Sequence, residues 1–212
     1  MAALKKMILC ASMVCALGAA HAEVIAPDQL IRNTVDEVIG IVKQDKDIQA
    51  GDQKKINALV DAKVLPHFDF ARMTQLAVGK YWRTATPEQK QALTTEFRNM
   101  LVHTYTKVFM VYRDQTVEVK PFRMAADDTE VTVKTTINKL GSQPIPVDYE
   151  MKIGADGWKV FDISIEGVSM VLSYRGTFAS QIQETGIDGL IKMLSDKNSK
   201  FEESNMVKAG TK

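Results

Sequence analysis

The side chains that could do chemistry are few, and the first to consider are two histidines. His67 and Asp69 stand two positions apart, and His103 lies among polar positions of a long helical stretch. A zinc site takes three or four ligands, and no others cluster near His67 in the sequence. The pattern therefore favours a turn between two helices, with Asp69 capping the second and His103 in solvent. We predict no metal site.

Asp162 is the best candidate for an acid–base catalyst, because it is the acid inside the most apolar predicted strand. A carboxyl group in an apolar cavity can act as a base beside a tyrosine that stabilises an oxyanion, and Tyr105 and Tyr149 could supply that hydroxyl. The alternative is a structural hydrogen bond to backbone or to an arginine, since a buried acid needs a partner in either case. The structural interpretation is favoured, and no catalytic residue is predicted. The sequence contains no GxSxG elbow, P-loop or GxGxxG motif.

The N-terminus has the three parts of a secretory signal. Lys5 and Lys6 form a basic region, residues 7–19 form an apolar run, and Ala20-His21-Ala22 supplies a small-x-small cleavage site. The run is shorter than the roughly 20 apolar residues that span a bilayer. We therefore expect residues 1–22 to be a signal peptide that is cleaved after Ala22, and residues 23–212 to form a single domain.

Cysteine and charge exclude several classes of function for the mature chain. Cys10 and Cys15 both lie inside the predicted signal and lack a lipoprotein context, so the mature protein has no thiol for a disulfide, a metal or a lipid anchor. Removing Lys5 and Lys6 from 27 basic residues leaves 25 against 26 acidic ones. This balance argues against nucleic acid as a partner.

Helical periodicity predicts three helices at the start of the mature chain. The first begins at Pro27 and continues to the break at Gly51-Asp52, because proline is favoured in the first turn. The second ends before Pro66, since the residue before a proline is disfavoured in the α region. A short third helix begins after Asp69.

A long fourth helix is predicted from Thr86 to about Tyr112. Thr86 and Gln89 have the spacing of a capping box, and Pro87 suits the first turn. An apolar stripe rich in aromatic residues recurs every three or four positions along it: Leu93, Phe97, Leu101, Tyr105, Phe109 and Tyr112.

The pattern changes to strict alternation after Gln115, which is typical of antiparallel strands with one buried face. Three such strands are followed by a fourth, 158–165, that is apolar on both faces. Gly167 is predicted to turn this strand directly into a helix from Val168 to Glu184, followed by a helix over 187–195 and a disordered polar tail over 197–212. The predicted fold is α+β, with N-terminal, long central and C-terminal helices around a curved sheet of about four strands that encloses an apolar cavity.

Three ordered segments resemble the MlaC family of toluene-tolerance, or Mla-pathway, periplasmic phospholipid-binding proteins. They are VLPHFDFARMTQLAVGKYWRTATPEQK at 64–90, TTEFRNMLVHTYTKVF at 94–109 and GWKVFDISIEGVSMVLSYRGTF at 157–178. The resemblance implies an NTF2-like fold. It also implies a soluble periplasmic carrier that moves glycerophospholipid between an outer-membrane lipoprotein–porin complex and an inner-membrane ABC transporter with an MCE-domain ring. Such a carrier helps to maintain outer-membrane lipid asymmetry, is not an enzyme and needs no cofactor besides its lipid.

On this hypothesis, apolar side chains of the sheet, the long helix and the following helix bind the acyl chains, and one or two arginines at element ends meet the head group. The predicted lipid-binding residues are Trp82, Phe97, Leu101, Tyr105, Phe109, Val117, Val119, Val131, Val133, Val147, Tyr149, Met151, Val171, Leu172 and Tyr174. The arginines considered are Arg72, Arg83, Arg98, Arg113 and Arg175.

Two other functions remain open from the residues alone. A small-molecule enzyme of NTF2-like shape would use Asp162 as its base. A periplasmic chaperone would hold apolar protein segments in the same cavity.

Overall fold

The computed structural model describes residues 24–111 and 115–209, with side chains described except at 107–111 and 205–209. The predicted signal peptide, as well as Tyr112 and Arg113, lies outside the described residues. Five helices precede a sheet, and one long helical segment follows it. The helices are α1 Pro27–Gln44, α2 Lys46–Ala50, α3 Gln53–Lys63, α4 Phe70–Val78, α5 Pro87–Val111 and α6 Arg175–Ala209. The strands are β1 Thr116–Val119, β2 Glu130–Asn138, β3 Ile145–Gly154, β4 Gly157–Ile165 and β5 Val168–Ser169.

Side-chain caps determine where α2, α3, α4 and α5 begin. Asp69 Oδ1 accepts a hydrogen bond from the Arg72 amide at 2.8 Å, as predicted. Thr86 and Gln89 form the predicted capping box, with bonds of 3.2 and 3.1 Å. Asp45 was not foreseen: its carboxylate accepts from the Asp47 and Ile48 amides, so α1 ends there and α2 begins, before the predicted break at Gly51.

The sheet is a meander in which each strand pairs antiparallel with the next, in the order β1-β2-β3-β4-β5. The α+β architecture is therefore confirmed, with five strands instead of about four. Between Glu150 and Met151 the register shifts, because Glu150 pairs with Asp162 while Met151 pairs with Val160. Phe161 is the extra residue of this bulge and packs against the helices instead of the sheet partner.

The prediction that a helix begins at Val168 is wrong. Glu166 and Gly167 form a two-residue turn, and Val168 and Ser169 pair back onto Ile165 and Ser164. A 3-10 turn over Leu172–Tyr174 follows, and α6 begins only at Arg175. The turn requires positive φ at both central residues, 51° at Glu166 and 81° at Gly167, which suits a hairpin.

The C-terminal segment is helical on both sides of Gly186, whose φ of 77° and ψ of −179° interrupt α6. This conformation is accessible essentially only to glycine, and it divides α6 between Glu184 and Ile187, where the sequence predicted two helices. The tail was predicted to be disordered from Lys197, whereas the helix continues to Ala209. Contacts with α5 account for part of the difference, because Asn198 Nδ2 donates to the Glu96 carbonyl at 2.9 Å and Phe201 stacks on His103.

Apolar side chains gather into two cores. The helical core joins α4, α5 and α6 around Phe97, Phe178 and Leu194. The sheet core joins α1 to one face of the sheet through Ile31, Val133 and Met151. Phe68 contacts both cores, because its segment lies along β4, where the Asp69 amide donates to the Val160 carbonyl at 2.8 Å. Among the described residues, no helix is long and apolar enough to cross a membrane.

Candidate functional site

One face of the sheet carries three parallel rows of mostly apolar side chains, which we call the inner sheet face. Residues paired across antiparallel strands lie on the same face, so the register defines each row. The rows are Val117–Ile137–Ile145, Thr135–Val147–Ile165 and Val133–Tyr149–Ile163. Val133, Val147 and Thr135 are buried, whereas the other members keep accessible surface. The inner sheet face therefore presents apolar surface that the packed cores do not fully consume.

Tyr149 lies at the centre of the inner sheet face. Burial raises the pKa of its hydroxyl, and a hydrogen bond with Thr135 opposes part of that shift. The residue nevertheless retains accessible surface and is only half-buried. Tyr149 packs against the sheet core together with Ile163, and its hydroxyl pairs with Thr135.

Several other predicted lipid-binding residues also belong to the sheet. Val119 and Met151 are buried in the sheet core, and Val131 packs against it half-buried. Val117 is half-buried in the first row. Together with Val133, Val147 and Tyr149, these residues were predicted from strict alternation alone, and the structure brings them onto one face.

The predicted residues on helices lie elsewhere. Phe97, Leu101 and Val171 are buried in the helical core, where the Phe97 ring packs edge-on against Tyr174 with centroids 5.3 Å apart. Trp82 packs half-buried against the same core, with the Lys90 ammonium 5.7 Å from its ring centre. These residues therefore fill a core between helices. The side chain of Phe109 lies outside the described residues.

Tyr105 and Tyr174 form a polar pair at the edge of the helical core. Both are half-buried, and burial, followed by the hydrogen bond with Tyr105, raises the pKa of Tyr174. Leu172, two residues before Tyr174, is exposed, with 45% of its surface accessible. Leu172 is therefore at the protein surface and not part of a closed wall.

Asp162 lies on the opposite face of β4, where its carboxylate accepts hydrogen bonds from neighbouring protein groups. It is buried, its Oδ1 accepts from the amides of Ile163 at 2.8 Å and Val171 at 3.1 Å, and its Oδ2 accepts from the Ser169 hydroxyl. These bonds tie β4 to β5 and the following turn. The carboxylate accepts three hydrogen bonds in this way, which agrees with the structural interpretation.

His67 and His103 have contacts with other side chains, and among the described residues no group of three His, Cys, Asp or Glu side chains gathers to hold a metal. Asp69 is an N-cap, and burial together with the charge of Lys159 lowers the pKa of His67. His103 stacks on Phe201, with its Nε2 3.9 Å from Glu202.

Three of the arginines considered, Arg72, Arg98 and Arg175, make contacts within the protein. The guanidinium of Arg72 lies 5.5 Å from the centre of the Phe161 ring, and that of Arg98 binds Asp61 at 3.0 Å. Arg175 lies against the backbone of Gly79, where an added Cβ would stand 2.9 Å from its Nε. Arg83 is exposed, and Arg113 lies outside the described residues.

Comparison with known proteins places this architecture in a family. The model of the family described as MlaC protein matches residues 32–196, which is most of the chain. The chain belongs to the MlaC family. Its curated relatives include the toluene tolerance protein ttg2D of Pseudomonas putida, 27% identical over 76% of this chain and 75% of the relative. They also include the intermembrane phospholipid transport system binding protein MlaC of Haemophilus influenzae, 20% identical over 82% and 83%.

A solved structure is also similar to this chain. The phospholipid-binding protein from Ralstonia solanacearum, determined in complex with a phospholipid, is 40% identical and superposes with a TM-score of 0.74. The match covers 82% of this chain and 97% of that one. The fold expected from the resemblance to the MlaC family is thereby confirmed.

The inner sheet face of this MlaC-family chain contains residues that sequence reasoning did not select. Ile137, Ile145 and Ile163 lie in the same rows as the predicted valines. Their alternation with polar residues was visible in the sequence and could have identified them. Ile165 was harder to assign, because its row partner Val168 was interpreted as helical.

Proposed function

We propose that this MlaC-family protein is a periplasmic phospholipid carrier whose acyl chains lie against the inner sheet face. The observation that carries the proposal is the 40% identity to a protein whose structure contains a bound phospholipid. The rows around Tyr149 support it, because several of their apolar side chains keep accessible surface beside the sheet core.

The energetics of lipid transfer explain why such a surface is needed. Two acyl chains carry about 30 methylene groups, and exposing them to water costs on the order of 20 kcal/mol at about 0.8 kcal/mol each. An apolar recess removes most of that barrier. Because the chains are equally dry in a bilayer, exchange between carrier and membrane is nearly neutral, so the carrier can both load and unload.

The predicted lipid-binding set divides into two groups in this proposal. The half-buried sheet residues Val117, Val131 and Tyr149 contact the ligand directly, whereas Val119, Val133 and Met151 support them from the sheet core. Phe97, Leu101 and Val171 do not contact the ligand in this proposal. They lie in the helical core and hold α5 and the segment after β5 in place. Tyr105, Tyr174 and Leu172 lie where the helices meet the surface, a position suited to the lipid's polar end.

The compartment and the partners follow from the family and remain proposals. We propose export by the signal at residues 1–22, with cleavage after Ala22. We also propose exchange of lipid with an inner-membrane MCE-domain ABC transporter complex and an outer-membrane lipoprotein–porin complex. The carrier would need no cofactor besides its phospholipid ligand, and the energy for directional transport would come from the partners.

Native mass spectrometry of the protein purified from its host tests this function. We expect an added mass that dissociates as intact diacyl phospholipid. Copurifying peptide without lipid would support the chaperone alternative and overturn the proposal. Turnover of a small apolar substrate that is abolished by Asp162→Asn in a folded protein would support the enzyme alternative.

A further inference from the structure

Strands β1 and β2 are paired over only part of the length of β2. The pairing stops at Val119, the last residue of β1, whereas β2 extends further in that direction, to its first residue Glu130. Just beyond β1 the Lys120 amide still donates to the Lys134 carbonyl at 2.9 Å, and a loop then leads back to the start of β2. The backbone of 130–134 on the side away from β3, which we call the open edge, therefore has no strand beside it.

Backbone groups of the open edge are unpaired. The N–H and C=O of a strand residue point to the same side, and this side alternates along the strand. Because the Lys134 carbonyl faces Lys120, the backbone groups of Thr132 and Glu130 also point away from β3. Among the described residues, no backbone group bonds to them there. The Thr132 hydroxyl does not compensate, because it donates to Glu150 at 3.0 Å.

A slot of about 370 Å³ lies along the open edge, between β2 and the loop that joins it to β1. Local contacts hold the loop side of the slot in place. Phe122 packs against the sheet core, and Asp128 Oδ2 accepts a hydrogen bond from the Ala125 amide at 2.7 Å. The slot is therefore preformed, which lowers the entropic cost of filling it.

The available charge in the slot is positive. Its two acids are engaged, since Glu130 binds Lys152 at 2.7 Å and Asp128 accepts within its own turn. Arg123 and Lys134 also line the slot and are exposed. Among the described residues, no carboxylate forms an ion pair with either of them. The slot therefore favours a negatively charged occupant.

We infer that the open edge binds an acidic, extended peptide segment of a partner protein, which adds a strand to the sheet beside Thr132. Strand addition draws its affinity from main-chain hydrogen bonds and its specificity from alternate side chains. Carboxylates at alternate positions of the added strand lie on the same face as Lys134. A second copy of this chain fits less well, because its edge would bring another Arg123 and Lys134 against the first pair. The inference goes beyond the carrier function and concerns the recognition of a partner.

Amide NMR of the protein with a synthetic peptide tests the inference. The probe is a short capped peptide in which glutamate alternates with threonine. One control peptide has lysine in place of glutamate, and the other has a fully N-methylated backbone. With the glutamate peptide we expect the Thr132 amide proton to shift and to exchange more slowly with solvent, whereas that of Leu140, in the turn between β2 and β3, should not change.

Neither control peptide should protect the Thr132 amide. No protection by the glutamate peptide, or equal protection by the N-methylated one, would overturn the inference. Failure of the glutamate peptide to bind to protein that carries lipid would leave the proposed function intact.

A backbone variant tests the strand pairing. Thr132→Pro removes the N–H that faces the slot, and proline is accommodated in a strand where that N–H has no ladder partner. Thr132→Val, which keeps the N–H, is the matched control. We expect Thr132→Pro to lose binding of the glutamate peptide and Thr132→Val to retain it. Unchanged binding by folded Thr132→Pro would contradict the inference.

A charge variant tests the preference for acids and does not alter the backbone. The double variant Arg123→Glu, Lys134→Glu should weaken binding of the glutamate peptide on the order of tenfold. Lys46→Glu, Lys54→Glu makes the same change of net charge at exposed positions of α2 and α3 and should bind as the wild type does. Equal affinity of the two double variants would contradict the assigned role of Arg123 and Lys134.

Discussion

The buried Asp162 carboxylate accepts a hydrogen bond from the hydroxyl of Ser169, seven positions later in the chain. This bond joins β4 to β5 and, with the Val171 amide as a further donor, determines the path of the chain into α6. An acid that seemed suited to catalysis thus fixes the hairpin at the edge of the sheet.

Asp162→Asn should lower the free energy of unfolding by about 1–3 kcal/mol, because the amide nitrogen cannot accept the bonds that one carboxylate oxygen now accepts. Urea denaturation measures the change. Asp156→Asn, in the exposed turn between β3 and β4, is the matched control and should leave stability within about 0.5 kcal/mol. If Asp162→Asn is as stable as the control, the hairpin does not depend on this carboxylate.

Local chemistry accounts for what the sequence predicted correctly. Pro27, the Asp69 cap and the Thr86–Gln89 capping box act within one helical turn, so their effect does not depend on the rest of the fold. The inner sheet face follows equally from alternation, because a residue's parity along a strand determines its face.

Tertiary contacts explain what the sequence could not predict. Val168 has a helical neighbourhood in sequence, but pairing with Ile165 and the bond from Ser169 to Asp162 hold it in a strand. Likewise Phe97 and Tyr149 are both aromatic residues on apolar stripes. In the folded protein, Phe178 of α6 packs against Phe97 and Phe97 is fully buried, whereas Tyr149 keeps accessible surface. This difference depends on how the helices pack and is not visible in the sequence.

Gly79→Ala should destabilise the protein by about 1–3 kcal/mol, since Gly79 has a φ of 63° and its new Cβ would meet Arg175 Nε at 2.9 Å. Gly40→Ala is the matched control. Gly40 lies within α1, and a Cβ added there would have no other atom within 4 Å. Alanine at this position should therefore raise the free energy of unfolding by about 0.5–1 kcal/mol. Thermal or chemical denaturation of both variants measures whether each substitution lowers or raises the stability of the protein. The same sign for both would contradict the assigned role of Gly79.

The stability of the protein should fall in alkaline solution because of Tyr149 and Tyr174. Burial raises the pKa of each above the ordinary value of 10, so the folded state favours the neutral hydroxyl. The stabilising contribution is fully present below pH 10 and is lost as the pH rises towards the folded pKa.

Denaturation at about pH 8 and about pH 11 measures this effect. The double variant Tyr149→Phe, Tyr174→Phe cannot ionise at these positions, and its stability should decline less between the two values than that of the wild type. An equal decline in both proteins would show that other groups cause the loss.

The most direct test of the account is the amount of phospholipid bound by wall variants, measured by native mass spectrometry of folded protein. Val147→Arg places a charge in the middle row of the inner sheet face, whereas Val147→Met keeps the position apolar and Leu140→Arg places the same charge on the surface. We predict that Val147→Arg loses most of its bound lipid and that both controls retain it. Full lipid occupancy in folded Val147→Arg would contradict the claim that acyl chains lie against this face.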